Sequence, residues 1–490
     1  MDDDAHTRKI LFVTNAESGQ ANTILAMALE ALTRPHVEVH IASFPVLRKR
    51  VEGLSPELKF HALDGKDMLQ AMASHPHGLV EANLSHPPTH KSFAPYGRTL
   101  GLVLTVWDGE TYMRIYDSVV KVIEELNPAL VVVDNLLNAG VDACHSLNQK
   151  FVLNSPNCAT DVARTHQPWL KGFWRYPMPG TGLKFPISWR DLPTNIMACV
   201  VFMYRVFTSP EVTKLVKYRN AHGLSGWLPM EAPYTRKVHI ICPSVRELDF
   251  PLVVPPNLGL YGPIVLDTSP IDMADPDMNR WLDGGETVMM CMGTHFQYSE
   301  SQVKAVIDGF LSAVGQDSNS NSNTQFLWKL SNKAKFEHVI EDSLKLQKDK
   351  QRFKIVDWLD ADPISIMRHP NVIAYVHHGG ANSYYEAALA GIPQIILAQW
   401  YDLYDIAVRA EYRGIGIYAN KKFAPDIEAV EFGTAVARLV QPGEESEGFR
   451  KRAKVVAEVC RDARGKKAAV DKLLEIVEGK DDPLNLNKSG

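Results

Sequence analysis

FKIVDWLDADPISIMRHPNVIAYVHHGGANSYYEAALAGIPQIILAQWYDLYDIAVRAEYRGIGI, from Phe353 to Ile417, is the stretch whose reading decides the fold. Val372 to Val376 is a short apolar run of β-formers and reads as a buried parallel strand. It stops at His377-His378-Gly379-Gly380. Asn382 and Ser383, both good N-caps, then open a helix that runs to Ala390. Gly391 ends it, Pro393 follows, and Gln394 to Leu397 is the next buried strand. Strand, glycine turn and helix N-terminus together make an anion site, because free backbone N–H groups and the helix dipole point at one spot. Gly379 and Gly380 let a ligand approach the backbone, and His378 adds a donor beside it.

Neighbouring residues narrow the ligand. Glu386 lies three to four positions after Asn382 and Ser383, on the same helix face. A carboxylate there can accept from paired hydroxyls, as acidic residues do with ribose. Trp358 offers a flat ring for a base, and Asp402 can hold sugar hydroxyls. The run His378-Gly379-Gly380-Ala381-Asn382-Ser383, with Glu386, Gly391, Pro393, Gln399, Trp400 and Asp402 in order and ungapped, resembles the nucleotide-sugar signature of the family 1 UDP-glycosyltransferases.

The rest of the chain is consistent with that size of machine. At 490 residues it exceeds one ordinary core and reads as two domains. A net charge of −5 argues against nucleic acid as a partner. The six cysteines are scattered without a CxxC pair, and Cys144 and Cys291 read as buried thiols of a reducing compartment. The opening MDDDAHTRK is acidic and runs straight into a strand, so no secretory signal is expected. No stretch reaches eighteen apolar residues, so no membrane span is expected either. A cytoplasmic monomer follows as the expectation.

Lys9 to Thr14, Val37 to Phe44 and Lys59 to Leu63 read as strands alternating with helices, the first helix covering Ala21 to Leu32. This alternation predicts a doubly wound parallel sheet. Gly65 to Arg98 is long and irregular, and its His75, His77, His86 and His90 lack paired metal-ligand spacing. Thr105 to Leu126 is predicted as one long helix. Ala129 to Asp134 is a buried strand with Asp134 at its carboxyl end, where ligands sit in open parallel sheets. The alternative for Asp134 is a cap on the helix that begins near Asn138. Ile196 to Phe207 is nearly all apolar and too short to span a bilayer. It reads as a buried helix, with the wall of an acceptor pocket or a membrane-surface contact as alternatives. Phe250 to Pro263 is proline- and glycine-rich and reads as the interdomain linker. Thr287 to Met292 opens a second sheet, continued by Phe326 to Leu330, Phe353 to Val356 and Gly416 to Tyr418, while Gly315 to Thr324 reads as a polar surface loop.

The resemblance implies an α/β protein of GT-B fold: two facing Rossmann-like, doubly wound domains with the active site in the cleft. Residues 1–255 would form the acceptor domain and 256–460 the nucleotide-sugar domain, with 461–490 returning to the first domain as a helix and tail. It implies inverting transfer of a hexose, glucose in the first instance, from a UDP-sugar, without a metal or other cofactor, and the aromatic, proline-rich stretch from Trp169 to Phe207 points to a small lipophilic acceptor. Thr294, Trp358, His378, Gly380, Asn382, Ser383, Glu386 and Asp402 would hold the nucleotide sugar. The sequence departs from the pattern in three places. Trp358-Leu359-Asp360-Ala361 lacks the usual Pro-Gln, and Asp402-Leu403 stands where an Asp-Gln pair is common. Gly19-Gln20-Ala21-Asn22 carries Gln20 where the family has its catalytic histidine, and an amide cannot take a proton at neutral pH. Asp134, Glu17 in the same turn as Gln20, or His295 after Thr294 could stand in as base; of these Asp134 is expected to accept the proton, with Gln20 orienting the acceptor. An acidic, phenol-like hydroxyl would need the least help. The alternative is a GT-B protein that binds nucleotide sugar without transferring it.

Overall fold

The computed structural model describes residues 7–74, 85–229, 238–293, 296–314, 324–345, 347 and 350–480. Two parallel sheets organise it. The first contains β1 (Arg8–Val13), β2 (Val37–Ser43), β3 (Lys59–Ala62), β4 (Leu130–Asp134), β5 (Phe151–Asn154), β6 (Ile240–Cys242) and β7 (Leu258–Leu260) in the order β3-β2-β1-β4-β5-β6-β7. The second contains β8 (Thr287–Cys291), β9 (Gln325–Lys329), β10 (Phe353–Val356), β11 (Val372–His377), β12 (Gln394–Ile396) and β13 (Gly416–Tyr418) in the order β10-β9-β8-β11-β12-β13. Every pairing is parallel; Ile10 to Val13, for instance, lie beside Leu130 to Val133. Helices cover both faces, which is why the central strands are unbroken apolar runs, β4 and β8 being buried throughout.

The elements read from the sequence are largely in place, with four differences. The helix expected from Thr105 starts at Gly109, because Asp108 turns extended and caps the N–H of Thr111; a separate helix, Phe93–Leu104, precedes it. The segment read as linker contains β7, which pairs with β6, so the first sheet runs past the boundary drawn at 255/256. The helix Leu192–Phe207 is buried only on one side; Asn195, Ala198, Cys199 and Val206 face inward and most of the rest is open. The fourth difference, at Asn382 and Ser383, belongs to the site. His75, His77 and the polar loop 315–323 lie outside the described residues. All six cysteines are buried and unbridged.

The two domains meet over an aromatic seam that includes Tyr176, Phe185, Phe250, Tyr384 and Tyr404. Within it Arg409, wholly buried on the helix Tyr401–Arg413, bonds Asp249 at 2.8 Å and Asp161 at 3.4 Å, both from the first domain. The phenol of Tyr384 donates to the Leu248 carbonyl (2.8 Å) and that of Tyr385 to the Asn157 carbonyl (3.1 Å). The last helix, Lys466–Val477, returns to the first domain, where Ala469, Val470, Leu473 and Ile476 join the core around Ile24 and Leu25.

Candidate active site

Each sheet reverses its strand order once, between β1 and β4 in the first and between β8 and β11 in the second. Ligands of doubly wound folds bind in the crevice at that point, beyond the carboxyl ends of the strands.

In the first crevice Asp134 ends β4 and has no exposed surface. Its Oδ2 accepts from the backbone N–H of Asn15 (3.2 Å) and the Asn15 side-chain amide (3.0 Å), and its Oδ1 from the N–H of Leu136 (3.0 Å). Burial pushes its carboxyl up to about 6, with those three donors pulling the other way. The carboxylate thus ties the turn after β1 to the turn after β4. It does not cap the helix Asn138–Ser146, whose N-cap position is Leu137. The turn after β1 ends in Glu17, the N-cap of the helix Ser18–Leu32, and Gln20 lies in the first turn of that helix. Glu17 Oε1 accepts from the N–H of Leu69 (2.9 Å). Glu17 Oε2 and Gln20 Oε1 are enclosed with no hydrogen-bond partner among the described residues. Burial raises the Glu17 carboxyl above its ordinary value, and the nearby Asp67 and Asp134 add to it.

In the second crevice β11 ends at His377, which is wholly buried. Its Nε2 donates to Gln394 Oε1 (2.8 Å) and its Nδ1 accepts from the N–H of Gly379 (3.1 Å), an arrangement that requires the neutral ring. Burial holds its pKa down at about 3. His377 therefore shapes the glycine turn, and His378 projects from it. Glycine at 293 and 380 makes room for the His378 ring: a Cβ at Gly293 (φ +78°) would lie 2.8 Å from its Cε1, and one at Gly380 2.6 Å from its Nε2. The Trp400 ring stands 6.0 Å away.

The helix that follows is Ala381–Ala390, and its N-cap is Gly380 with extended backbone (φ −63°, ψ 142°). Asn382 and Ser383 therefore lie in the first turn and are not the caps expected from the sequence. The cap falls two residues before Asn382, and no side chain closes the end. Asn382 instead reaches across the cleft and donates to the Ser18 carbonyl at 3.1 Å. Ser383 Oγ lies 3.4 Å from the Tyr375 phenol. Ser18 begins the helix Ser18–Leu32, so two helix N-termini, one from each domain, meet across the cleft with their free N–H groups and positive dipole ends.

Glu386, one turn along, borders a cavity of about 60 Å³ between the domains that Asn22, Arg50, Thr268, Asp362 and Asn382 also line. Burial, then repulsion from Asp362, pushes its carboxyl up to about 7, while Arg368 pulls it down. Arg50 is fixed by donation to Asn22 Oδ1 (2.7 Å). Trp358 follows the edge strand β10, is 66% exposed, and has the Lys329 ammonium 4.6 Å from its ring centre. Asp402, in the first turn of Tyr401–Arg413, has an exposed surface, yet enough chain surrounds its carboxyl for burial to push it up to about 6. Thr294 and His295 lie outside the described residues. A roomier cavity of about 300 Å³, bordered by Glu411, Tyr418, Lys422 and Arg438, holds none of these groups.

The structure thus gathers Gln20, His378, Gly380, Asn382 and Glu386 around one cleft, with Asp134 behind the first-domain turn. Trp358, on the loop after β10, and Asp402, in the first turn of the helix that follows β12, stand on the same carboxyl side of the second sheet as His378. Sequence reasoning missed His377, Asn22, Arg50 and Asp362. His377 had a signal in the doubled histidine before the glycines. Arg50 had none, since it sits on a helix of the other domain.

Residues 348–464 match the family described as the C-terminal domain of erythromycin biosynthesis protein CIII-like proteins. Glycosyltransferase sdnJ of Sordaria araneosa is 32% identical over 507 residues, spanning 96% of this chain and 98% of that protein. A UDP-glycosyltransferase of Talaromyces amestolkiae is 24% identical over 391 residues, 76% of this chain and 69% of that one. Among solved structures, a UDP-glucosyltransferase from Polygonum tinctorium capable of glucosylating indoxyl, in complex with 3,4-dichloroaniline, matches with a TM-score of 0.66 at 16% identity, covering 96% of this chain and 98% of that chain. At that identity the likeness is one of fold. The length of the first match, on two doubly wound domains that face each other across this cleft, places the chain in the family 1 UDP-glycosyltransferases, as an enzyme of GT-B fold that works on a UDP-sugar.

Proposed function

We propose that the enzyme transfers a hexose, glucose in the first instance, with inversion from its UDP-sugar to an acidic hydroxyl of a small lipophilic acceptor. The observation that carries this reading is the pair of helix N-termini joined by Asn382 and Ser18 across the cleft, beside His378. Donors aimed at the departing diphosphate stabilise charge where it develops, often the largest catalytic contribution. Thr294, next in sequence after Gly293, would add a donor. Glu386 would accept from the ribose hydroxyls, Trp358 would stack on the uracil, and Asp402 would hold sugar hydroxyls. No metal is required, and a chelator should leave turnover unchanged.

In the transfer, the acceptor oxygen forms a bond to C1 of the sugar as the bond from C1 to the UDP oxygen breaks. The acceptor proton passes to a carboxylate of the first domain, with Gln20 orienting the hydroxyl. Asp134 has both oxygens engaged by N–H donors from two turns, so it serves best by fixing the turn that ends in Glu17 and leads to Gln20. Glu17 Oε2, enclosed as it is, has no hydrogen-bond partner among the described residues, and its raised pKa suits a base better than an ordinary carboxylate. A phenol-like acceptor lowers the demand further, its ordinary pKa being about 10. The neighbour from Polygonum tinctorium is described as glucosylating indoxyl, which agrees with an acceptor of this kind.

The test is UDP release from UDP-glucose with a panel of phenols and aliphatic alcohols, for wild type, Glu17→Gln, Asp134→Asn and Gln20→Ala. Glu17→Gln should lower kcat by about 10²–10⁴-fold, with UDP affinity intact. Asp134→Asn should also lower it, through a disordered turn, and lose stability besides. Gln20→Ala should mainly raise the acceptor KM. Full activity in Glu17→Gln puts the base at Asp134 or His295, and faster turnover of aliphatic alcohols than phenols overturns the acidic-acceptor reading.

A further inference from the structure

The helix Leu192–Phe207 carries a stripe of side chains that the protein does not cover. Ile196, Met197, Val200, Met203, Tyr204 and Phe207 are all exposed, and they recur at spacings of three and four. That spacing puts them on one face. The opposite face is held firmly. Asn195 donates to the carbonyls of Phe173 and Tyr176 and accepts from the N–H of Met178, so the helix is pinned at its first turn. Phe202 lies parallel to Tyr401 with ring centres 5.7 Å apart. Tyr401 precedes Asp402, so the helix joins the rim of the cleft to the outside.

The stripe does not stand alone. Trp189, 79% exposed, sits in the turn that enters the helix, and the guanidinium of Arg190 lies over its ring at 5.3 Å. Trp169, 84% exposed, and Leu170 lie in the loop that Trp174 braces by donating to the Trp169 carbonyl (2.8 Å). Both Trp169 and Leu170 have positive φ (60° and 54°), a conformation that bulky residues avoid. From 164 to 217 the chain carries eight Lys and Arg against two acidic residues, within a protein of net charge −5. Exposed tryptophans, an apolar helix face, Arg190 over Trp189 and the exposed Arg205 on the helix itself form the pattern of a helix lying in a membrane interface. At 16 residues and about 1.5 Å per residue the helix is about 24 Å long, short of the roughly 30 Å hydrocarbon core. Among the described residues no single helix is long and apolar enough to cross a membrane, and the next one, Pro210–Ala221, turns away by 44°. With one face held against the protein and the other open, Leu192–Phe207 is placed to lie along a bilayer.

We propose that this face docks the enzyme onto an anionic lipid surface, with the stripe and the tryptophans in the interface and the basic residues against the headgroups. Opposite charge favours an anionic bilayer over a second copy of this chain, whose same face would meet it with like charge. Docking in this way sets the mouth of the cleft beside the membrane. The inference does not depend on which acceptor is used.

The experiment is co-sedimentation of the full chain with vesicles of phosphatidylcholine alone or with about 30% phosphatidylserine, at low and high salt, with light scattering of the free protein. Wild type should bind the anionic vesicles at least tenfold more tightly than the neutral ones, and salt should weaken that binding. Val200→Glu with Tyr204→Glu, both on the open face, should lower vesicle binding at least tenfold while leaving the thermal transition and the turnover of a water-soluble phenol unchanged. Arg190→Ser with Arg205→Ser should lose the preference for phosphatidylserine. Equal sedimentation of wild type and the double glutamate variant overturns the proposal. So does an absence of binding to either vesicle at low salt, or a dimer in solution that the glutamates dissolve, which would make the stripe a subunit interface.

Discussion

Replacing Glu386 by Gln should move nucleotide-sugar binding and protein stability in opposite directions. Its carboxyl is raised from 4.5 to about 7, first by burial and then by Asp362. A carboxyl raised on folding holds a proton that the unfolded chain releases. Stability is therefore fully present below about 4.5 and falls as pH rises towards 7, where ionisation inside the cleft becomes unavoidable. One unit corresponds to about 1.4 kcal/mol, and water in the adjoining cavity offsets part of the shift, so the wild type should give up about 1–3 kcal/mol across that window. Glu386→Gln has nothing to ionise. At pH 8 the free variant should melt above wild type by about 2–4 °C per kcal/mol, and the difference should vanish near pH 4.5. Binding runs the other way. Ribose hydroxyls donate best to the ionised carboxylate, and a hydrogen bond to a charged group is worth about 1.5–3 kcal/mol. UDP-glucose affinity of the wild type should then fall about 10–100-fold from pH 8 to pH 5, while the variant stays low and flat. Calorimetry with UDP-glucose avoids the titration of a terminal phosphate, and proton uptake or release appears from two buffers of different ionisation heat. A variant that melts no higher at pH 8, or a wild-type affinity independent of pH, refutes the reasoning.

Gly380→Ala keeps an allowed backbone but sets a Cβ 2.6 Å from His378 Nε2, so the ring must move; UDP affinity by calorimetry should fall about tenfold or more with little change in melting temperature. Arg409→Ala leaves Asp249 buried without its partner in the seam, and chemical denaturation should show a loss of about 3–5 kcal/mol. Trp358→Ala removes the exposed ring offered to the base and should weaken UDP by about 1–3 kcal/mol, with no loss in the melting temperature.

Much of this protein was legible in the sequence because its signals are local. A parallel strand buried on both faces must be an apolar run, as in Leu130 to Val133 and Val288 to Cys291, and the glycine turn after β11 must follow such a run to present its amides. The ordered polar residues from His378 to Asp402 carried the family because a nucleotide sugar needs them on one turn and one helix face. Residues whose meaning depends on a distant partner were not legible. Asn382 looked like a cap and is a bridge to Ser18; only the approach of the other domain supplies that carbonyl. Asp134 looked like an open base and is enclosed by Asn15 and Leu136, because the turns after β1 and β4 fold over it. The apolar segment 196–207 looked like core, since composition does not say how many sides of a helix are covered. Periodicity and turn chemistry along the chain set the two sheets and the nucleotide crevice. Exposure, protonation and cross-domain contact are set by what packs against a residue from elsewhere in the chain, and these the tertiary structure alone decided.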